Sequence, residues 1–103
     1  MPKGALAMLI LRVLRSGPLH GYAVAQRIRE LSDAVLEAEE GSLYPTLQRL
    51  LMEGWVRAEW SQSETGRKVR IYELTAEGHK QLRRELEEYR HVSAAIQAIL
   101  RTA

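Results

Sequence analysis

The chain has 103 residues, of which 46% are hydrophobic and 27% charged, and carries a formal net charge of +2. These proportions fit one compact domain, too short for a second independent core and too apolar for global disorder. With no cysteine in the sequence, disulfide frameworks, thiolate metal sites and cysteine nucleophiles are excluded, and a cytoplasmic setting is expected.

The apolar segment from Leu6 to Leu14 is broken by Arg12 and Arg15 and lacks a small-residue cleavage site, so it is read as a core helix rather than a leader. No apolar run approaches the roughly 20 residues that span a bilayer, and no membrane partner is expected. From Ala5, the residues Leu6, Leu9, Ile10, Val13 and Leu14 recur at helical spacing, while Met8 and Leu11 add a second apolar face. Ser16-Gly17-Pro18 ends this helix, since proline cannot continue it. A second helix starts near His20-Gly21-Tyr22, with His20 at its entry and Tyr22, Ala25, Ile28 and Leu31 expected to face inward. The acidic stretch from Ser32 to Gly41 connects to the next element, with Val35 and Leu36 dipping toward the core.

A third helix is expected with Ser42 as its N-cap and Pro45 in its first turn, where the missing N–H has no intrahelical acceptor. Leu43, Leu47, Leu50 and Leu51 form its buried stripe, and Gly54 terminates it. The pattern then turns to alternation: Val56, Ala58 and Trp60 point one way, Arg57 and Glu59 the other. A second β-rich segment covers Val69 to Leu74, and the polar stretch between, with its turn-forming Gly66, makes the pair a β-hairpin. Thr75 can cap a last helix from Ala76 to about Leu100. The fold class is therefore mainly α with a small β-hairpin: a winged helix-turn-helix over residues 1–75 and one long dimerisation helix over 76–103.

The third helix presents Tyr44, Gln48 and Arg49 on its outer face, where a helix entering a major groove meets base edges. Glutamine pairs with adenine and arginine with guanine, and Tyr44 can reach a phosphate or a thymine methyl. Any surface helix carries such residues, so it is their place in the element order that gives them weight. The same holds for Arg67, Lys68 and Arg70 beside Gly66, a cluster suited to a phosphate or a minor-groove edge, although Glu64 lowers its potential and charged hairpin tips are ordinarily just solvated.

In the last helix Leu82, Leu86, Tyr89, Ser93, Ile96 and Leu100 alternate at spacings of four and three, with Val92 and Ile99 widening the seam. The stripe could pack on its own domain, but about 25 helical residues extend about 37 Å, more than a small winged domain covers. Together with Leu6, Leu9 and Ile10 of the first helix, it predicts a homodimer. Trp55 and Trp60 are read as core and hairpin packing, with a platform for a planar ligand as the alternative. His20, His79 and His91 lack metal-ligand spacing, and no metal or cofactor is expected. Without a nucleophile motif, a phosphate loop or a convergent carboxylate pair, no enzyme is expected. The main rival to DNA binding is a winged-helix dimer that binds a protein partner or senses a ligand.

Five segments carry a resemblance: Gly21-Tyr22, Gly41-Ser42-Leu43-Tyr44-Pro45-Thr46-Leu47-Gln48-Arg49-Leu50, Glu53-Gly54-Trp55-Val56, Gly66-Arg67-Lys68 and Tyr72-Glu73-Leu74-Thr75-Ala76-Glu77-Gly78. Together they resemble the PadR family of bacterial transcriptional regulators, over residues 4 to 90. The resemblance implies a dimeric repressor of palindromic promoter DNA that, in many members, a small-molecule effector releases. By position it places Ser42, Tyr44, Pro45, Thr46 and Arg49 on the recognition helix and Gly66, Arg67 and Lys68 on the wing, and it gives Tyr22 and Tyr44 a part in holding the helix-turn-helix together. The single C-terminal helix looks like the smaller subgroup. Some of its members hold planar aromatic drugs between tryptophans of that helix, but residues 79–103 contain none.

Overall fold

The computed structural model describes residues 4–102. Its elements are α1 (Ala5–Arg15), β1 (Leu19–His20), α2 (Gly21–Leu31), α3 (Glu40–Met52), β2 (Val56–Gln62), β3 (Lys68–Leu74) and α4 (Ala76–Leu100). Helix α1 is the centre of the fold because it is apolar on both faces. Leu6, Ala7, Ile10, Leu11, Val13 and Leu14 are all buried, and the helix touches α2, α3, α4 and β3. Val24 and Ile28 of α2, Leu43, Leu47 and Leu50 of α3, Val56, Tyr72 and Leu74 of the sheet and Leu82 of α4 complete one core. The result is a winged helix-turn-helix, mainly helical, with a longer helix appended.

The β structure is larger than the expected hairpin. Three antiparallel strands run in the order β1-β3-β2, with Leu19 and His20 of β1 opposite Tyr72 and Ile71. Two residues beside a proline are too short to show a period, and β1 forms because it supplies partners to the free edge of β3. The hairpin ladder runs from Val56–Leu74 out to Gln62–Lys68, so the polar ends of both strands remain paired. The turn itself is short: the Ser63 N–H donates to the Arg67 carbonyl (2.7 Å), the Gly66 N–H to the Ser63 carbonyl (2.9 Å), and Gly66 takes φ +83°.

Helix α2 is turned differently from the expectation. Gly21, Val24 and Ile28 face the core and Ala25 is half-buried, whereas Tyr22 and Leu31 face solvent. The two branched residues fix the phase of the helix, and the aromatic position falls outside it. The entry reading for His20 is confirmed, since its Nδ1 accepts the Ala23 N–H at 3.2 Å. Beyond α2, of the two residues expected to dip inward, Val35 is exposed and Leu36 is half-buried. The Ser32 hydroxyl organises this connection, donating to the Ile28 carbonyl (2.8 Å) and accepting the Leu36 N–H (3.0 Å). Asp33 and Ala34 take φ values of +50° and +64° in consequence.

Helix α3 begins earlier than expected. Glu39 is the N-cap residue, and its carbonyl accepts the N–H groups of Ser42 (2.9 Å) and Leu43 (2.8 Å), so Ser42 lies inside the first turn and is not the cap. Pro45 therefore sits one turn further in, and the carbonyl its N–H would have met belongs to exposed Gly41, which water can satisfy.

The junction of α3, the hairpin and α4 is tied by one residue. The Thr75 hydroxyl accepts the Gly78 N–H (3.0 Å) and donates to the Gly54 carbonyl (2.7 Å), while its N–H donates to the Trp55 carbonyl (3.1 Å). Gly78 is buried against that same Trp55 carbonyl, and an added Cβ would overlap its oxygen and lie 2.6 Å from Leu74 Cδ1. From here α4 leaves the body. Leu82 is buried and Leu86 half-buried, but from Glu87 onward Ser93 alone is better than exposed. The molecule accordingly measures 59 × 29 × 22 Å, with a radius of gyration of 15.2 Å against about 13 Å for a compact chain of this length.

Two stability predictions follow from these backbone constraints. Gly78→Ala is expected to lower the melting temperature by more than about 10 °C, because the clash is with backbone and overpacking of this kind costs about 3 kcal/mol. Ala34→Gly is expected to stabilise by up to about 1 kcal/mol, relief of the left-handed conformation outweighing the added chain entropy. Thermal melts followed by circular dichroism check both, and a lower melting point for Ala34→Gly would show that this backbone is not strained.

Candidate nucleic-acid interface

The exposed side of α3 follows from its buried one. With Leu43, Leu47 and Leu50 inward, helical spacing leaves Ser42, Tyr44, Pro45, Gln48 and Arg49 on the surface and Thr46 half-buried. Thr46 is committed locally, its hydroxyl donating to the Ser42 carbonyl at 2.7 Å. Tyr44 is 44% exposed, and its ring lies over the start of α2. Gly21 makes that approach feasible: a Cβ there would stand 2.9 Å from Tyr44 Cε1 and 3.3 Å from its hydroxyl oxygen. The resemblance gave Tyr22 and Tyr44 a joint bracing role; in the structure the glycine beside Tyr22 is the seat, and Tyr22 itself stacks with His20, centroids 6.5 Å apart.

The hairpin places its cations at two depths. Gly66, Arg67 and Lys68 are exposed at the tip, while Arg70 is half-buried further back. The Arg70 guanidinium carbon lies 5.8 Å from the Trp60 ring centroid and 5.9 Å from that of Tyr72, within cation–π range of both. Trp60 sits opposite Arg70 in the ladder and is 65% exposed, because β2 has run past the core that buries Val56. Of the two tryptophans, Trp55 packs against the core as expected and Trp60 does not.

These two sets of residues meet. A cleft of about 400 Å³ is lined by His20, Gly21, Tyr22, Tyr44, Trp60, Lys68, Val69, Arg70 and Tyr72, joining the start of α2, the recognition-type helix and the hairpin. No carboxylate lines it, and among the described residues neither Lys68 nor Arg70 has a carboxylate partner within salt-bridge distance. Glu39 and Glu40 lie instead at the N-terminus of α3, where they stabilise the helix dipole. Sequence reasoning missed Trp60 and His20 as neighbours of this surface because their convergence depends on β1 pairing with β3.

A second cavity, of about 330 Å³, lies on another side between α1, α2 and the following connection. Leu9, Val13, Ile28, Leu31 and Leu36 line it with Arg12 and Arg27. The expected dimer residues divide between two environments. Leu6, Ile10 and Leu82 are buried within the protomer, only Leu6 keeping a small exposed fraction, a result of α1 lying at the centre of the core. Leu9 and Leu86 are half-buried, and Tyr89, Val92, Ile96, Ile99 and Leu100 are exposed. No group of three or more potential metal-ligating side chains occurs among the described residues, and no described helix is long and apolar enough to cross a membrane.

Comparison with known proteins agrees with this geometry. Residues 10–84 match the model of the transcriptional regulator PadR-like family. A transcriptional regulator from Clostridium thermocellum superposes with a TM-score of 0.86 at 27% identity, over 93% of each chain. A PadR family transcriptional regulator from Eggerthella lenta gives 0.82 at 30% identity, over 98% of this chain and 86% of that one. An uncharacterised protein from Lysinibacillus sphaericus is 27% identical over 94 residues, covering 91% of this chain and 86% of its own. With its family model spanning the core, the helix-turn-helix and the hairpin alike, the chain belongs to the PadR-like family of transcriptional regulators, which bind DNA and are not enzymes.

Proposed function

We propose that the protein is a homodimeric, sequence-specific repressor acting by operator occupancy, with α3 in the major groove and the hairpin on the flanking backbone. One observation carries this reading: a single carboxylate-free cleft joins Tyr44 of α3 to Lys68 and Arg70 of the hairpin. Two kinds of contact can then approach one duplex from one face. Gln48 and Arg49 supply base-edge donors, Ser42, Tyr44 and Pro45 line the entering turn, and Thr46 braces it. Arg67, Lys68 and Arg70 supply the phosphate contacts around Gly66, which offset the unfavourable field of Glu39 and Glu40.

The dimer follows from what α4 leaves uncovered. Beyond Leu86 the helix continues for about 14 residues with no core beneath it, and an isolated helix of that length is marginal in water. Burying an aliphatic side chain from full exposure is worth about 1.5 to 3 kcal/mol, and Val92, Ile96, Ile99 and Leu100, still 43 to 72% exposed, would each gain a corresponding part of that, so a second copy both covers and stabilises the segment. Leu9 and Leu86 can extend that interface, with Leu6, Ile10 and Leu82 supporting it from inside. Two recognition helices so paired read a palindromic operator. An effector, where one acts, shifts the dimer toward a spacing that no longer fits; the 330 Å³ apolar cavity beside the connection to α3 has the composition of such a site.

Fluorescence anisotropy of the protein against duplex from its own upstream region and a scrambled control, across a salt series, tests the reading. Tight, salt-sensitive and discriminating binding is expected; weak and equal binding to both would transfer the fold to a ligand-sensing or protein-binding role. Within that assay Arg49→Ala is expected to weaken the cognate duplex by about 1 to 3 kcal/mol and the scrambled one much less. Equal weakening would reassign Arg49 to a phosphate. Ile96→Glu is expected to convert the dimer to monomer in sedimentation at micromolar concentration, and an unchanged dimer would remove α4 from the interface.

A further inference from the structure

The cavity of about 330 Å³ at the ends of α1 and α2 combines two features that the fold does not require. Its lining is aliphatic: Leu9, Val13, Ile28, Leu31 and Leu36 contribute no ring, and Leu31 stays 65% exposed. Beside them stand Arg12 and Arg27, and no carboxylate lines the cavity. Among the described residues neither arginine has a carboxylate within salt-bridge distance. Arg12 lies in the last turn of α1, where a cation complements the helix dipole, and its Nη1 donates to the Ser16 hydroxyl at 3.3 Å. Arg27 has no such explanation. Its neighbour Arg29 occupies the last turn of α2 and pairs with Glu37 at 3.0 Å, whereas Arg27 does neither.

We infer that this cavity is a seat for an amphiphilic monocarboxylate with an aliphatic chain, the chain between α1 and α2 and the carboxylate on Arg12 and Arg27. The inference rests on the effector reading above and adds to it the class of molecule and the route by which it acts. Charge selects an anion, and the guanidinium fork selects a carboxylate, whose two oxygens it meets with parallel hydrogen bonds. The lining selects an alkyl chain over a planar aromatic one, because it holds no ring on which a ligand ring could stack. A second copy of α4 fits the apolar lining but not its charge: from Tyr89 to Leu100 that helix carries Arg90 and no acidic residue. The route runs through the connection to α3. Ser32 and Leu36, joined by the Leu36 N–H donating to the Ser32 hydroxyl (3.0 Å), form one wall of the cavity. A chain inserted against Leu36 moves that wall, and with it Glu39, where α3 begins. The displacement starts within one protomer and reorients the helix whose spacing in the dimer decides operator fit.

Isothermal titration calorimetry of the full chain without DNA tests the seat, with sodium octanoate, sodium decanoate, octan-1-ol and sodium benzoate as probes below any micelle-forming concentration. Decanoate is expected to bind about fifteenfold more tightly than octanoate, for its two further buried methylenes. Octan-1-ol, which lacks the charge, and benzoate, which lacks the chain, are expected to bind more weakly than octanoate. Arg27 is exposed, so its replacement leaves the core intact. Arg27→Gln is expected to weaken decanoate by at least about tenfold, the loss of a charged hydrogen bond, and to leave octan-1-ol unchanged. No decanoate binding to the wild type, or equal binding to Arg27→Gln, overturns the inference. Binding confined to the Ile96→Glu monomer also overturns it, by showing that a second copy fills the cavity. The anisotropy assay then reads the consequence: saturating decanoate, against sodium acetate at equal concentration, is expected to weaken the upstream duplex several-fold for wild type and not for Arg27→Gln. An unchanged duplex affinity with decanoate bound overturns the route through the connection and upholds the seat. Because the calorimetry needs no DNA, a wild type that does not discriminate the two duplexes would remove the operator reading alone, so the two can fail separately.

Discussion

The geometry of the molecule depends on one backbone contact, the packing of Gly78 onto the carbonyl of Trp55. Around it Thr75 bonds to Gly54 and Trp55, so the end of α3, the start of β2, the end of β3 and the start of α4 are fixed within a few residues of one another. A side chain at position 78 would push α4 away from the body and take Leu82 out of the core that α1 organises. The direction of the long helix is therefore set at its first turn, by the absence of a Cβ.

A second close approach governs the side on which α3 and the hairpin meet. Gly21 admits the ring of Tyr44, and β1, two residues long, holds the start of α2 beside β3. Without that strand the cleft would lack one wall, since His20 and Gly21 would not be tied to the strand that carries Arg70 and Tyr72. The exposed salt bridges contribute little by comparison. Arg29–Glu37 and Arg57–Glu73 lie at the surface, where such pairs are worth between zero and about 1 kcal/mol.

Much of this was legible in the sequence because its signals are local. Thr75 as a cap, Gly66 in a turn, His20 at a helix entry and the stripe Leu43, Leu47, Leu50 and Leu51 each express a short-range rule, and all appear in the structure, with Leu51 half-buried rather than buried. What escaped is set by tertiary context. The phase of α2 is not legible because the expected set Tyr22, Ala25, Ile28 and Leu31 steps by three and drifts around the helix, whereas Val24 and Ile28, four apart, share the one face that packing against α1 selects. The start of α3 was placed at Ser42 because serine is a good cap, whereas the extended backbone at Glu39 had already begun the helix. Neither β1 nor the exposure of Trp60 leaves a trace in periodicity, because both depend on where the neighbouring strand ends.

Leu6, Ile10 and Leu82 show how periodicity can mislead about assembly. An apolar stripe reports that a residue is buried, not whose surface buries it, and the centre of a small domain can absorb a helix that is apolar all round. The uncovered part of α4 is different in kind. Its first three turns, through Leu86, pack on the core of the protomer, and its later apolar residues have none within reach. On the dimeric reading this division has a mechanical meaning. A single rigid helix carries the interface at one end and the Thr75–Gly78 junction at the other, so any change in how two copies pack along Tyr89 to Leu100 is transmitted as a rotation of the recognition helices. Half-site spacing would then be adjustable far from the DNA, with no change in the residues that touch it.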